Sequence, residues 1–286
     1  MTSYDVFHQV AFNWIIPAYF FLGGLSAGLF LIAVIFRYWR KDYEVLSTPA
    51  AVLSPLFLAL GMGLLNLDLS QPFRFWRLMV TFQPSSIVSW GVWGLSIFFV
   101  LNLFYAYFSV KGEKEKAKKF GYLGIPFAVF AAAYSGLLLA QMQGRALWHT
   151  ALLPWLFLLG AVISGLALVI LVGIGTGKAA ELGDKFFSLG KFLAWLVMLE
   201  LGMIFTEILV LLNGGSDALV SVSALLSGPY SFEFWVLEIL LGAIIPLLIL
   251  FNPNKAKKLS LQSIAAVLVL VGIYTMRFVV VMAGQV

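Results

Sequence analysis

The sequence predicts an all-α integral membrane protein with about eight transmembrane helices, and three observations carry that prediction. Only 11% of the 286 residues are charged, less than half the share usual in a soluble domain. The charges are clumped, and several of the uncharged stretches between clumps exceed the roughly 20 residues that a helix needs to cross hydrocarbon. Those stretches are continuously apolar, unlike the short alternating strands of an outer-membrane barrel. Helices remain, because lipid offers no partners to unpaired backbone groups.

Apolar runs between charge clusters place the spans at 12–36, 46–69, 86–108, 120–142, 152–174, 188–213, 233–251 and 259–283. Arg37, Arg40 and Lys41 follow span one. Lys111, Lys114, Lys116, Lys118 and Lys119 follow span three. Lys178, Lys185 and Lys191 follow span five, and Lys255, Lys257 and Lys258 follow span seven. These are fourteen of the eighteen basic residues, all on one side. The other side holds Arg74, Arg77 and Arg145, while Arg277 lies inside span eight. The positive-inside rule then puts both termini outside the cytoplasm. The first eleven residues carry no Lys or Arg, so span one is expected to be an anchor and not a cleaved leader.

Two outer connections are long. Residues 70–86, SQPFRFWRLMVTFQPSS, interleave aromatic and basic residues in a way that suits a short amphipathic helix on the membrane surface. Residues 214–232, GGSDALVSVSALLSGPYSF, form the other. These connections suit the docking of a partner protein on this face, and equally a plain position among the lipid headgroups.

The residue inventory excludes several chemistries. Without cysteine the protein cannot hold a thiolate-ligated iron–sulfur cluster, form a disulfide or present a thiol nucleophile. Its two histidines, His8 and His149, fall outside the spans, so no bis-histidine haem is expected. No metal site, FMN site, nucleotide site or soluble-type catalytic triad is legible. The net charge of +5 follows membrane topology and does not point to nucleic acid.

Polar groups within a membrane are costly, so they mark candidate sites. Given the topology, Tyr19, Asn66, Asp68, Trp90 and Tyr134 converge on one depth, the outer third of the first four spans. Aromatic rings can stack on a quinone headgroup, and hydroxyl or amide groups can bond its oxygens. Asp68 can exchange its protons. Each of these residues also has an ordinary reading, as a solvated span end or as part of an interfacial aromatic belt. A second group lies in spans six to eight. Glu200 and Glu207 are seven apart and share a helix face. Glu207 and Arg277 are the expected ion pair, read either as a proton path or as a buried pair that fixes helix register. A rival from another class is a proton-translocating channel or secondary transporter. Its usual sign is a matched pair of Gly/Pro helix breaks in two repeats, and Pro126 and Pro246 stand in unlike contexts.

Four segments resemble a known family. They are PAYFFLGGLSAG in span one, NLDLSQPFRFWRLMVTFQPSSIVSWGVWGL from span two into span three, ALLSGPYSFEFW leading into LLGAIIPLL, and the closing RFVVVMAGQ. The second, with its D-L-x-x-P-x-R-F-W order and S-W-G-x-W-G, is the most specific. Together they resemble the NrfD/PsrC family, the quinone-reactive membrane subunits of polysulfide-reductase-type respiratory complexes in prokaryotic inner membranes. The resemblance implies two four-helix bundles, residues 1–143 and 144–286, with a menaquinone or ubiquinone site in the first near the outer face. It implies an iron–sulfur ferredoxin-like subunit and a molybdopterin catalytic subunit as outer-face partners, with Arg74, Trp76 and Arg77 at the docking surface. Asp68 stands in the family's L-D-L position and Tyr134 where span four offers a tyrosine to the quinone. Tyr19 stands where some members carry a histidine ligand. The neighbouring asparagine of those members has no counterpart at Ile16.

Overall fold

The computed structural model describes residues 12–68 and 76–285, and every regular element among them is helical. The order along the sequence is α1 Ile15–Tyr38, α2 Glu44–Asp68 after a 3₁₀ turn, α3 Arg77–Val80, α4 Ile87–Lys111 and α5 Lys114–Ala140. There follow α6 Leu153–Gly175, α7 Lys178–Leu182, α8 Asp184–Leu212 and α9 Ser216–Leu226. A π-helical stretch, Glu233–Ile244, runs directly into α10 Ile245–Leu250, and α11 Pro253–Ala256 precedes α12 Leu259–Ala283. Eight of these, with the π stretch and α10 counted as one helix, are long and apolar enough to cross a membrane.

All eight coincide with the expected spans, with ends shifted by a few residues. The larger shifts lie on the lysine-rich side. There α5 begins at Lys114 and α8 at Asp184, because a charged first turn stays helical in water beyond the hydrocarbon. Gly112 ends α4 with φ +74°, the left-handed cap that glycine takes without a Cβ penalty. Of the expected surface helix in 70–86, residues 70–75 lie outside the described residues and α3 supplies a single turn. The connection 214–232 contains the eleven-residue α9.

The helices α1, α2, α4 and α5 close one ring of contacts, and α6, α8, the π/α10 helix and α12 close another. The first helix, α1, is the most buried span and also packs on α6 and α12. Small residues permit this. A Cβ on Gly28 would strike the carbonyl oxygen of Ala161, and one on Gly165 would sit 2.9 Å from Gly28 Cα, so α1 and α6 touch backbone to backbone. Gly242 and Gly272 repeat the arrangement between the π stretch and α12. The least buried span is α8, which exposes Phe192, Trp195 and Phe205.

Candidate functional site

A cavity of about 420 Å³ opens among α1, α2, α4 and α5, at the end away from the lysine clusters. Its wall is mostly apolar, with Ile16, Phe20, Met62, Leu65, Val92 and Leu95 prominent. Four polar side chains converge on it: Tyr19, Asn66, Ser96 and Tyr134. An apolar cleft of this size with a few placed polar groups is the usual form of a small-molecule site.

Helix phase explains which side chains reach the cavity. From α4 come Val88, Val92, Leu95 and Ser96, spaced four, seven and eight residues on one face. The tryptophans of the Ser89–Gly94 segment lie on the other face. Trp90 is 52% exposed, and its indole N–H donates to the Pro84 carbonyl at 2.9 Å. Trp93 is exposed as well. Trp90 is therefore not part of the cavity wall. The glycines of that segment do the positioning. A Cβ on Gly91 would occupy the place of the Tyr134 phenol, and one on Gly94 that of the Phe130 ring. The two rings stand 5.6 Å apart on α5.

Tyr134 and Tyr19 are both almost fully buried, and their phenols lie within electrostatic reach of each other. Asn66 Oδ1 is buried with no hydrogen-bond partner among the described residues. An amide left without a partner in a cavity wall costs free energy that a bound polar ligand would recover. Asp68 lies outside the wall, and its carboxylate accepts a hydrogen bond from Asn13 Nδ2 at 2.6 Å. Asn13 adjoins Phe12, which is in the wall, so Asp68 stands at the cavity's rim.

Of the expected docking residues, Arg74 lies outside the described residues. Trp76 is exposed, and the Arg77 guanidinium stands 5.8 Å from its ring centroid. Two residues further on, Met79 enters the cavity wall, so α3 links the exposed Trp76 to the cavity. Sequence reasoning missed Ser96, Met62 and Met79. Met62 lies one turn from Asn66 on α2 and Ser96 one turn from Val92 on α4, whereas no pattern marks Met79.

The second polar group is arranged differently from the expectation. Arg277 is fully buried, and its guanidinium donates to the backbone carbonyls of Phe20 at 2.7 Å, Phe21 at 3.1 Å and Phe157 at 3.2 Å. Gly24 leaves the space that this guanidinium fills. The expected ion pair with Glu207 is not among the contacts of the described residues, and Glu207 lies beside Thr150 instead. The carboxylate that acts on Arg277 is Glu200, two helical turns or about 10 Å earlier in α8. Glu200 lies over Gly160, and Glu238 of the π stretch is its acidic neighbour.

The family model described as "Polysulphide reductase, NrfD" matches residues 3–286. A polysulfide reductase component of Wolinella succinogenes is 28% identical, with 99% of this sequence and 97% of that protein aligned. A selenate reductase component of Mesobacillus selenatarsenatis is 27% identical over 96% of this sequence and 73% of its own length. The Hdr-like menaquinol oxidoreductase integral membrane subunit of Archaeoglobus fulgidus is 29% identical over 92% and 68%.

Proposed function

The chain belongs to the NrfD polysulphide reductase family, and from that premise we propose that it is the membrane anchor and quinone-reactive subunit of a respiratory oxidoreductase complex. The observation that carries the reading is the convergence of Tyr19, Asn66 and Tyr134 on one apolar cavity, with Asn66 Oδ1 unpartnered among the described residues. The names of the relatives support it, since they belong to a polysulfide reductase, a selenate reductase and a menaquinol oxidoreductase.

A bound quinol supplies two electrons and two protons. The residues of this protein hold and orient it. The phenols of Tyr19 and Tyr134 can each donate to a ring oxygen or accept from its hydroxyl. The Asn66 amide turns its oxygen to a quinol O–H or its nitrogen to a quinone carbonyl. Phe12, Phe20 and Met62 exclude water from the ring. Asp68, at the rim, exchanges protons with the outer aqueous phase. An iron–sulfur ferredoxin-like subunit, itself bound to a molybdopterin catalytic subunit, docks on the face bearing Arg74, Trp76 and Arg77 and takes or returns the electrons. That partner supplies the clusters, because this protein has no cysteine to ligate them.

The test is quinol turnover by the intact complex. Asp68→Asn lowers it by about 100-fold and Tyr134→Phe by about tenfold, with the subunits still co-purifying. Unchanged turnover in both variants would defeat the reading. A second reading rests on the adjacency of buried Glu200 and Glu238, with Glu207 nearer the outer face. These acids and Arg277 form a proton path through the second half of the chain. Glu200→Gln then lowers the protons moved per electron in proteoliposomes without lowering quinol turnover, and an unchanged ratio would remove this second reading.

A further inference from the structure

A second cavity, of about 360 Å³, lies at the lysine-rich end of the first four helices. It is eighteen residues along α1 from Tyr19, or roughly 27 Å. Its cations are Arg37, Lys41, Lys114 and Lys118, and its carboxylates are Glu44 and Glu115. The lining therefore carries an excess of two positive charges. Neither salt bridge among the described residues involves any of these six side chains.

Arg37 is half-buried. It bonds hydroxyls: Nε donates to Ser47 Oγ at 3.1 Å and a terminal nitrogen to Thr48 Oγ1 at 2.7 Å. A guanidinium has five N–H donors, so donors remain for a further acceptor. Two hydroxyls of the wall are without a well-formed hydrogen bond among the described residues: Ser109 Oγ, in a side chain 5% exposed, lies against the Tyr105 phenol, and Tyr38 Oη lies against the Arg37 guanidinium. Trp39 is exposed and meets Tyr122 edge-on next to this cavity, which sets its depth at the headgroup level of a bilayer. A half-buried guanidinium without a carboxylate, two hydroxyls without well-formed hydrogen bonds and a positive lining call for an anion with several acceptor oxygens. A phosphate group offers three or four and matches the arginine fork.

We infer that the cavity lined by Arg37, Ser109, Lys114 and Lys118 binds a phosphate group, carried by an anionic phospholipid headgroup or by a soluble phosphate. Basic pockets between transmembrane helices on the cytoplasmic side are suited to anionic headgroups.

Native mass spectrometry of the full-length protein, taken from phosphatidylcholine vesicles doped with phosphatidylglycerol, tests the lipid source. Lys114→Gln/Lys118→Gln removes two exposed cations and lowers phosphatidylglycerol retention by about thirtyfold. Lys255→Gln/Lys257→Gln, at another lysine-rich turn, leaves it unchanged. Arg37→Gln gives a second reading of the same loss. Inorganic phosphate added in detergent tests the soluble source. If it raises the melting temperature of the wild type but not of Lys114→Gln/Lys118→Gln, and lipid retention does not differ, the ligand is a soluble phosphate. Equal lipid loss in both double variants, or no lipid loss together with no phosphate effect, overturns the inference.

Discussion

Tyr134 on α5 fills the space that a side chain at Gly91 on α4 would take. This pairing fixes the phenol in the wall of the apolar cavity that Tyr19 also lines. Gly91→Ala therefore displaces the ring without removing its hydroxyl. The loss of one oriented hydrogen bond corresponds to about a tenfold rise in the KM for quinol. Steady-state quinol oxidation by the assembled complex measures it. The pairing also predicts non-additivity: Tyr134→Phe in the Gly91→Ala background adds little further loss. Fully additive effects would show that the glycine does not act through the tyrosine.

Asn66 allows stability and function to be separated by sign. Its Oδ1 is buried and has no hydrogen-bond partner among the described residues, and such a group costs about 1–3 kcal/mol. Asn66→Leu removes that cost, so the melting temperature in detergent holds or rises. The same change deletes a contact to the quinone ring, so quinol turnover falls. A variant that loses both together would mean that Asn66 is a structural residue only.

The spans were legible because continuous apolar runs and clumped charges are long-range signals that need no knowledge of packing. Depth was legible for the same reason: counting along each span put Tyr19, Asn66 and Tyr134 at one level. The facing side was not. A helix that is apolar all round presents no amphipathic stripe to show which side is buried. That is why Trp90 reads as a candidate although Val88 and Val92 on either side of it face the cavity. Asp68 follows Asn66 by two residues, about 200° around α2, and so stands at the rim. Arg277 was legible as costly and therefore paired, but its partners are backbone carbonyls, which every residue carries and no sequence pattern marks.

Arg277 joins three helices through those carbonyls, and Glu200 is the carboxylate that acts on it. Arg277→Met leaves the Phe20 and Phe157 carbonyls with one bond fewer and removes the counter-charge of Glu200. The expected loss is about 3 kcal/mol, read as a lower midpoint in denaturant titration of the detergent-solubilised protein. Adding Glu200→Gln to Arg277→Met recovers part of the loss, because Glu200 is then no longer a buried acid without its counter-charge. Glu207→Gln added to the same variant recovers nothing, since Glu207 lies beside Thr150. Recovery by Glu207→Gln in place of Glu200→Gln would restore the pairing expected from spacing alone.

The glycines of LGGLSAG are not equivalent, and their substitutions differ in sign. A Cβ on Gly23 meets nothing within 4 Å, so Gly23→Ala gains helix propensity and stabilises by up to about 1 kcal/mol. A Cβ on Gly28 would strike the Ala161 carbonyl oxygen, and one on Gly165 would meet Gly28 backbone atoms and Leu29 N at 2.8 Å. Backbone cannot rotate aside as a side chain can, so α1 and α6 must separate. Gly28→Ala and Gly165→Ala each cost about 2–3 kcal/mol. Once the first substitution has parted the helices, the second meets less resistance, and the double variant costs clearly less than the sum. Denaturant titration of the two single variants and the double variant measures this. A full sum would mean that each glycine is needed for its own local reason and that α1 and α6 are not held at one shared contact.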